Sequence, residues 1–195
     1  MATLHDRSAV ELLALYASRE ASPVEVMRDL LARIERCEPH IAATWALDAD
    51  AALQAAHDSE ARWKNGTARA LDGVPVTIKD NIATRGTPMP VGTAATVLTP
   101  AAVDAPPAAR LREAGAVIVG KTTMPDYGML SSGLSSFHKL TRNPWDLSKN
   151  PGGSSAGAGA ACAAGYGPLH LGTDIGGSIR LPAAWCGIVG FKPSL

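Results

Sequence analysis

No sign of charge dominates this chain: eighteen lysines and arginines balance eighteen aspartates and glutamates, for a formal net charge of zero. That balance excludes the broad basic footprint used to hold nucleic acid or an anionic membrane. Cysteine is scarce. Cys37, Cys162 and Cys186 are odd in number, show no C-x-x-C spacing, and have mostly small or apolar neighbours. They exclude a zinc knuckle or a paired redox site, and read as reduced thiols of a cytoplasmic protein. The first thirty residues lack a long apolar run, because His5, Asp6, Arg7, Glu11, Arg19 and Glu20 interrupt them. Neither a signal peptide nor a membrane anchor is visible. The glycine-rich stretch 151–165 has no G-K-[ST] ending to close a phosphate loop and lacks the G-x-G-x-x-G spacing. The expected partner is a small molecule, with no nucleic acid, no membrane, no cofactor and no metal; a homodimer is a candidate assembly.

What is present starts with helices. At 195 residues the chain can form one domain and bury about 70% of its unfolded surface. "SAVELLALYASRE" places Val10, Leu13 and Ala17 on one helical face, and "SPVEVMRDLLARIERC" does the same with Val26, Leu30, Ile34 and Cys37. Ser22, Pro23 and Glu25 are a cap, a first helical residue and the reciprocal member of a capping box. A third helix is expected over about 48–64, stopped at Asn65-Gly66. These make residues 1–66 a helical part.

Residues 71–195 change texture. "VPVTI" and "AVIVG" are short and apolar almost throughout, as strands buried on both faces are. Between them a helix is expected after Pro107, ending at Gly115, so strand, helix and strand form a crossover unit of an α/β fold. The Pro-, Thr- and Gly-rich stretch 84–107 reads as a long surface loop near a site.

Two glycine-rich segments then follow, "PGGSSAGAGAACAAG" and "GTDIGGSIR". Each alone is consistent with a tight turn into a packed helix. Together they offer what acyl transfer needs: a serine, and successive backbone N–H groups at Ile175, Gly176, Gly177 and Ser178 that could meet an oxyanion. The base is the missing part. His5, His40, His57, His138 and His170 stand in no triad context, which leaves Lys79, directly after the buried-looking "VPVTI". Burial would lower its pKa from about 10.4 toward 7, costing the charged form about 4 kcal/mol. The competing reading is a strand-end lysine paired with Asp80.

The stretches "LDGVPVTIKDN", "GAVIVGKTTMPDYG", "TRNPWDLSKNPGGSSAGAGAA" and "LGTDIGGSIRLPAAWCGIVGFKPS", spanning 71–194, resemble the amidase signature family of serine amide hydrolases. The resemblance implies a mixed β-sheet with helices on both faces. It makes Lys79 the base, Ser154 a bridging serine preceded by a cis peptide, and Ser178 the nucleophile, Ser154 lying 75 positions after Lys79 and Ser178 24 positions after Ser154. Ile175, Gly176, Gly177 and Ser178 become the oxyanion hole, each donor contributing about 2.7 to 4 kcal/mol. Asp174 and Arg180 would brace the loop, and Ser155 and Thr173 orient neighbours. Gly128, Met129, Leu130 and Ser131 would line the acyl pocket, while Cys186 beside Trp185 is packing.

Ala156 stands where many members carry glycine, and members are about twice this length, so the resemblance is to an N-terminal half. The implied function is hydrolysis of carboxylic amides to acid and ammonia or amine. Two alternatives accompany it: the glutaminase component of an aminoacyl-tRNA amidotransferase, and a catalytically silent fragment acting as a binding module.

Overall fold

Helix starts are written into the first layer. In the computed structural model, which describes residues 3–194, Ser8 and Glu11 form a capping box that opens α1 (Ala9–Ser18). Ser22 and Glu25 do the same for α2 (Pro23–Ile41), with Pro23 at its first position. In α2 both orphan donors are satisfied reciprocally, Ser22 N to Glu25 Oε2 at 2.8 Å and Glu25 N to Ser22 Oγ at 3.2 Å. Asp48 caps α3 (Ala49–Lys64) through the Ala51 N–H.

The expected face of α1 needs correction. Val10 is exposed at 77%, and Ala17 is exposed too; Leu12 and Tyr16 are the buried pair, with Leu13 packed partly against them. Tyr16 decides this, because its ring lies 5.9 Å from Trp63 and its hydroxyl donates to Gly73 O. On α2 the expected stripe is the buried one: Val26, Leu30 and Ile34 are inside and Cys37 packs partly. Each such aliphatic burial contributes about 1.5 to 3 kcal/mol.

The sheet has four strands in the order β1-β3-β2-β4: β1 (Thr44–Leu47), β2 (Pro75–Lys79), β3 (Val117–Thr122) and β4 (Leu169–Leu171). β2 runs parallel to both β3 and β4, whereas β1 runs antiparallel to β3, which makes the sheet mixed. The crossover between β2 and β3 carries α4 (Pro106–Glu113). One core joins α2 and α3 with Val117, Val119 and part of the next helix, α5 (Ala156–Ala163). A second joins Ile78, Ile82 and Ile118 with Ala108 of α4. Adjacent β3 residues thus enter different cores, as the two faces of a strand require, and helices cover both.

The strand β1 and the short β4 have no counterpart among the expected elements, whereas the helices α5 and α6 (Arg180–Cys186) follow the two glycine-rich turns, each consistent in sequence with a turn into a packed helix. The stretch 84–107 holds only isolated bridges before α4, and it folds back over the end of β2: Val91 N and Gly92 N both donate to Asp80.

Candidate active site

Lys79 is the last residue of β2, a strand buried along its whole length and flanked on both sides by other strands. Such a position leaves its amine no solvent, and Lys79 is 0% exposed. The partner comes from the turn before α5. There Gly152 takes a left-handed φ of 84°, and the Gly153–Ser154 peptide is cis. Gly153 has no room for a side chain, since a Cβ would lie 2.5 Å from Ser132 N and O. The turn delivers Ser154, itself 3% exposed, so that Lys79 Nζ donates to Ser154 Oγ at 2.8 Å.

Thr173 completes the surroundings of the amine: Nζ donates to its Oγ1 at 2.9 Å and to its carbonyl oxygen at 3.5 Å. Ser155 anchors the same loop, donating through Oγ to Thr173 O at 3.2 Å and through its amide to Ser178 O at 3.0 Å. Burial pushes the Lys79 amine down to about 8, against the opposing pull of the Asp174 and Asp80 carboxylates. Among the described residues Lys79 has no ion pair with Asp80. Asp80 is instead taken by His138 Nε2 at 2.8 Å and by the two loop amides.

Asp174 organises the loop that carries Ser178. Its side chain is fully buried and pairs bidentately with Arg180, Nε to Oδ2 at 3.0 Å and Nη2 to Oδ1 at 2.9 Å. It also accepts from the amides of Gly177, Ile179 and Arg180. These donors, Arg180 first, hold its carboxyl far below the usual carboxylate range. One expected oxyanion donor is therefore not free: the Gly177 N–H points at Asp174 Oδ1 at 2.7 Å, because Gly177 adopts φ 125° and turns its amide inward. Among the described residues the amides of Ile175, Gly176 and Ser178 have no protein partner, and Ile175 is fully exposed.

Ser178 is half-buried, and no hydrogen bond joins its hydroxyl to Ser154 among the described residues. The Lys79–Ser154 contact is closed while the Ser154–Ser178 contact is open. Hydrogen bonds of this type commonly tighten only around substrate. Of the expected pocket residues, Gly128 approaches closely, since a Cβ there would lie 3.3 Å from Ser154 Oγ. Met129, Leu130 and Ser131 are exposed, forming a rim and not an enclosure. A cleft of about 520 Å³ lined in part by Ser155, His170, Gly172 and Ile179 backs the loop. A cleft of about 1090 Å³ between α2, β1 and α3 contains none of these residues.

Three neighbours escaped sequence reasoning. Asn81 donates through Nδ2 to Thr173 Oγ1 at 3.2 Å. His138 reaches Asp80 across 58 residues. Lys121, a second fully buried lysine, donates to Ile82 O and to Thr84 Oγ1, and burial lowers it to about 8 as well. Only "KDN" as a block hinted at the first of them. His170 donates through Nε2 to Gly167 O and accepts at Nδ1 from Thr77 Oγ1, and burial pushes it down to about 4, so it is neutral at pH 7. Among the described residues no group of three His, Cys, Asp or Glu side chains gathers into a metal site, and no helix is long and apolar enough to cross a membrane.

A family profile described as Amidase matches residues 25–195. The chain is 47% identical over 191 residues to the A component of the glutamyl-tRNA(Gln) amidotransferase of Symbiobacterium thermophilum, covering 96% of this chain and 39% of that protein. It is 48% identical over 195 residues to the component of that name from Acidothermus cellulolyticus, again over 39% of its length. Among solved structures, a bacterial aryl acylamidase of the amidase signature family superposes with a TM-score of 0.91 at 35% identity, over 98% of this chain and 40% of that one. The peptide amidase from Stenotrophomonas maltophilia does so with 0.89 at 32%, over 96% and 40%. The chain thus spans 39% of the length of those curated relatives. A profile match over most of the chain, joined to a shared α/β architecture at these identities, establishes that this chain belongs to the amidase signature family.

Proposed function

We propose that this chain carries the hydrolytic centre for a carboxamide, acting through an acyl-enzyme on Ser178. Neutral Lys79 takes the Ser154 proton, Ser154 takes the Ser178 proton, and Ser178 Oγ attacks the amide carbonyl carbon. The unpartnered amides of Ile175, Gly176 and Ser178 meet the oxyanion. The proton returns through Ser154 to the leaving nitrogen as the C–N bond breaks. Water, deprotonated by the same relay, then cleaves the ester to the acid. The observation that carries this reading is the buried contact of 2.8 Å between Lys79 Nζ and Ser154 Oγ, with no carboxylate on the amine.

A narrower reading is favoured by the relatives. Identities of 41 to 48% to the amidotransferase A components exceed the 32 and 35% to the peptide amidase and aryl acylamidase. In that reading the substrate is the side-chain amide of glutamine and the product used by a partner is ammonia. The balanced charge of the chain agrees with a protein that binds a small amide itself and leaves nucleic acid to others.

The test combines a fluorophosphonate probe with amide turnover. Mass mapping should place the label on Ser178, and Ser178→Ala and Lys79→Ala should each remove ammonia release from glutamine. Faster release from an aryl amide than from glutamine would return the substrate to the broader amidase class. A folded chain that labels elsewhere, or turns over neither amide, would support the silent binding module instead.

A further inference from the structure

Three hydrogen-bonding directions surround the Lys79 amine: Ser154 Oγ at 2.8 Å, Thr173 Oγ1 at 2.9 Å and Thr173 O at 3.5 Å. An ammonium fills all three with N–H donors. Once it loses a proton it keeps two N–H bonds and one lone pair, and the lone pair must face one of the three. The carbonyl oxygen cannot donate to it, so the two hydroxyls compete. Only the Ser154 outcome makes the amine a base for Ser154. If Thr173 donates instead, an amine N–H faces Ser154 and the relay is reversed at its first step.

Asn81 bears on that competition. Its amide lies 3.2 Å from Thr173 Oγ1. With Nδ2 turned to Thr173, as the structure has it, Thr173 Oγ1 accepts from both Asn81 and Lys79. Its own proton then has no acceptor among the described residues, and Asn81 Oδ1 is itself buried without a partner. Two groups are left unpaired. Reversing the amide, whose two ends are told apart only by their hydrogen bonds, lets Thr173 O–H donate to Asn81 Oδ1. Only one group is then left unpaired, and an unpaired buried polar group costs about 1 to 3 kcal/mol.

We infer that Asn81 is a positioning residue that takes the Thr173 hydroxyl proton, so that Thr173 can only accept from Lys79 and the lysine lone pair is directed at Ser154. Asn81 touches neither serine; it acts through Thr173. The inference rests on the proposed role of Lys79 as base, but its test does not depend on turnover.

The experiment is a pH titration of the Lys79 side chain, followed by the 13Cε resonance of lysine-labelled protein and assigned with Lys79→Arg. In Asn81→Ala the freed Thr173 hydroxyl pairs with the neutral amine, so the titration midpoint should fall, by about one pH unit for a hydrogen bond of about 1.4 kcal/mol. Asn81→Asp keeps the acceptor and adds a nearby negative charge, so its midpoint should rise. In a Thr173→Val background, Asn81→Ala should leave the midpoint where Thr173→Val alone puts it. An unmoved midpoint in Asn81→Ala, or an equal shift with and without Thr173, overturns the inference. Labelling of Ser178 in Lys79→Ala separates the two ideas: unchanged labelling there removes the base reading, whatever the titrations show.

Discussion

Shifting the pH across the range where a buried amine loses its proton is the most direct perturbation of this site. An ordinary lysine at 10.5 is neutral in about 0.03% of molecules at pH 7, whereas one at about 8 is neutral in about 9%, a gain of about 300-fold in base. Fluorophosphonate labelling of Ser178 should therefore rise about tenfold per pH unit up to pH 7 and level off above about 8. The same burial has a cost. Holding the amine near 8 disfavours the charged form by about 3 kcal/mol relative to the unfolded chain. The sign follows from linkage. Between about 8 and 10.5 the unfolded chain binds more protons than the folded one, so stability rises with pH across that window. Below about 8 the penalty is present in full. Lys121 adds a second penalty of the same sign, so Lys79→Met should remove about half of the pH dependence of urea unfolding and not all of it. A labelling profile for Lys79→Ala that superposes on wild type, or a wild-type profile flat through pH 8, would refute the reasoning.

Asp174→Asn weakens a carboxylate that accepts from Arg180 and three amides. Ser178 labelling should drop at least tenfold, each charge-assisted bond contributing about 1.5 to 3 kcal/mol. Amide exchange over 175–180 should quicken, and unchanged exchange would show that the loop holds its shape without the charge. Gly157→Ala puts a Cβ 2.1 Å from Ala43 O and 2.4 Å from Thr123 N, both backbone. It should destabilise by about 3 kcal/mol or more, read as a lowered urea midpoint. Ser22→Ala, far from the site, should cost about 1 kcal/mol through the lost capping box and leave labelling of Ser178 at the wild-type rate.

Sequence alone determined the local half of this protein. The boxes at Ser22 and Glu25, the stripe Val26, Leu30 and Ile34, and the runs around β2 and β3 all declare themselves within a few residues. Helix ends and two-faced strands satisfy themselves nearby, so a short window contains the cause. The glycine-rich blocks were legible as loops for the same reason, since Gly152 and Gly177 occupy positive φ. Tertiary structure decided the rest. α5 reads "AGAGAACA" and is buried on nearly every side, so it has no apolar stripe to betray it. β4 is three residues long, with His170 at its centre. The face of α1 was set by Tyr16 reaching Gly73, 57 residues away. Whether Lys79 would pair with Asp80 or stand against Ser154 depended on His138 and two loop amides claiming the carboxylate first. Competition for one charged group among partners distant in sequence has no local signature. Only the packed chain fixes which partner arrives within hydrogen-bonding distance.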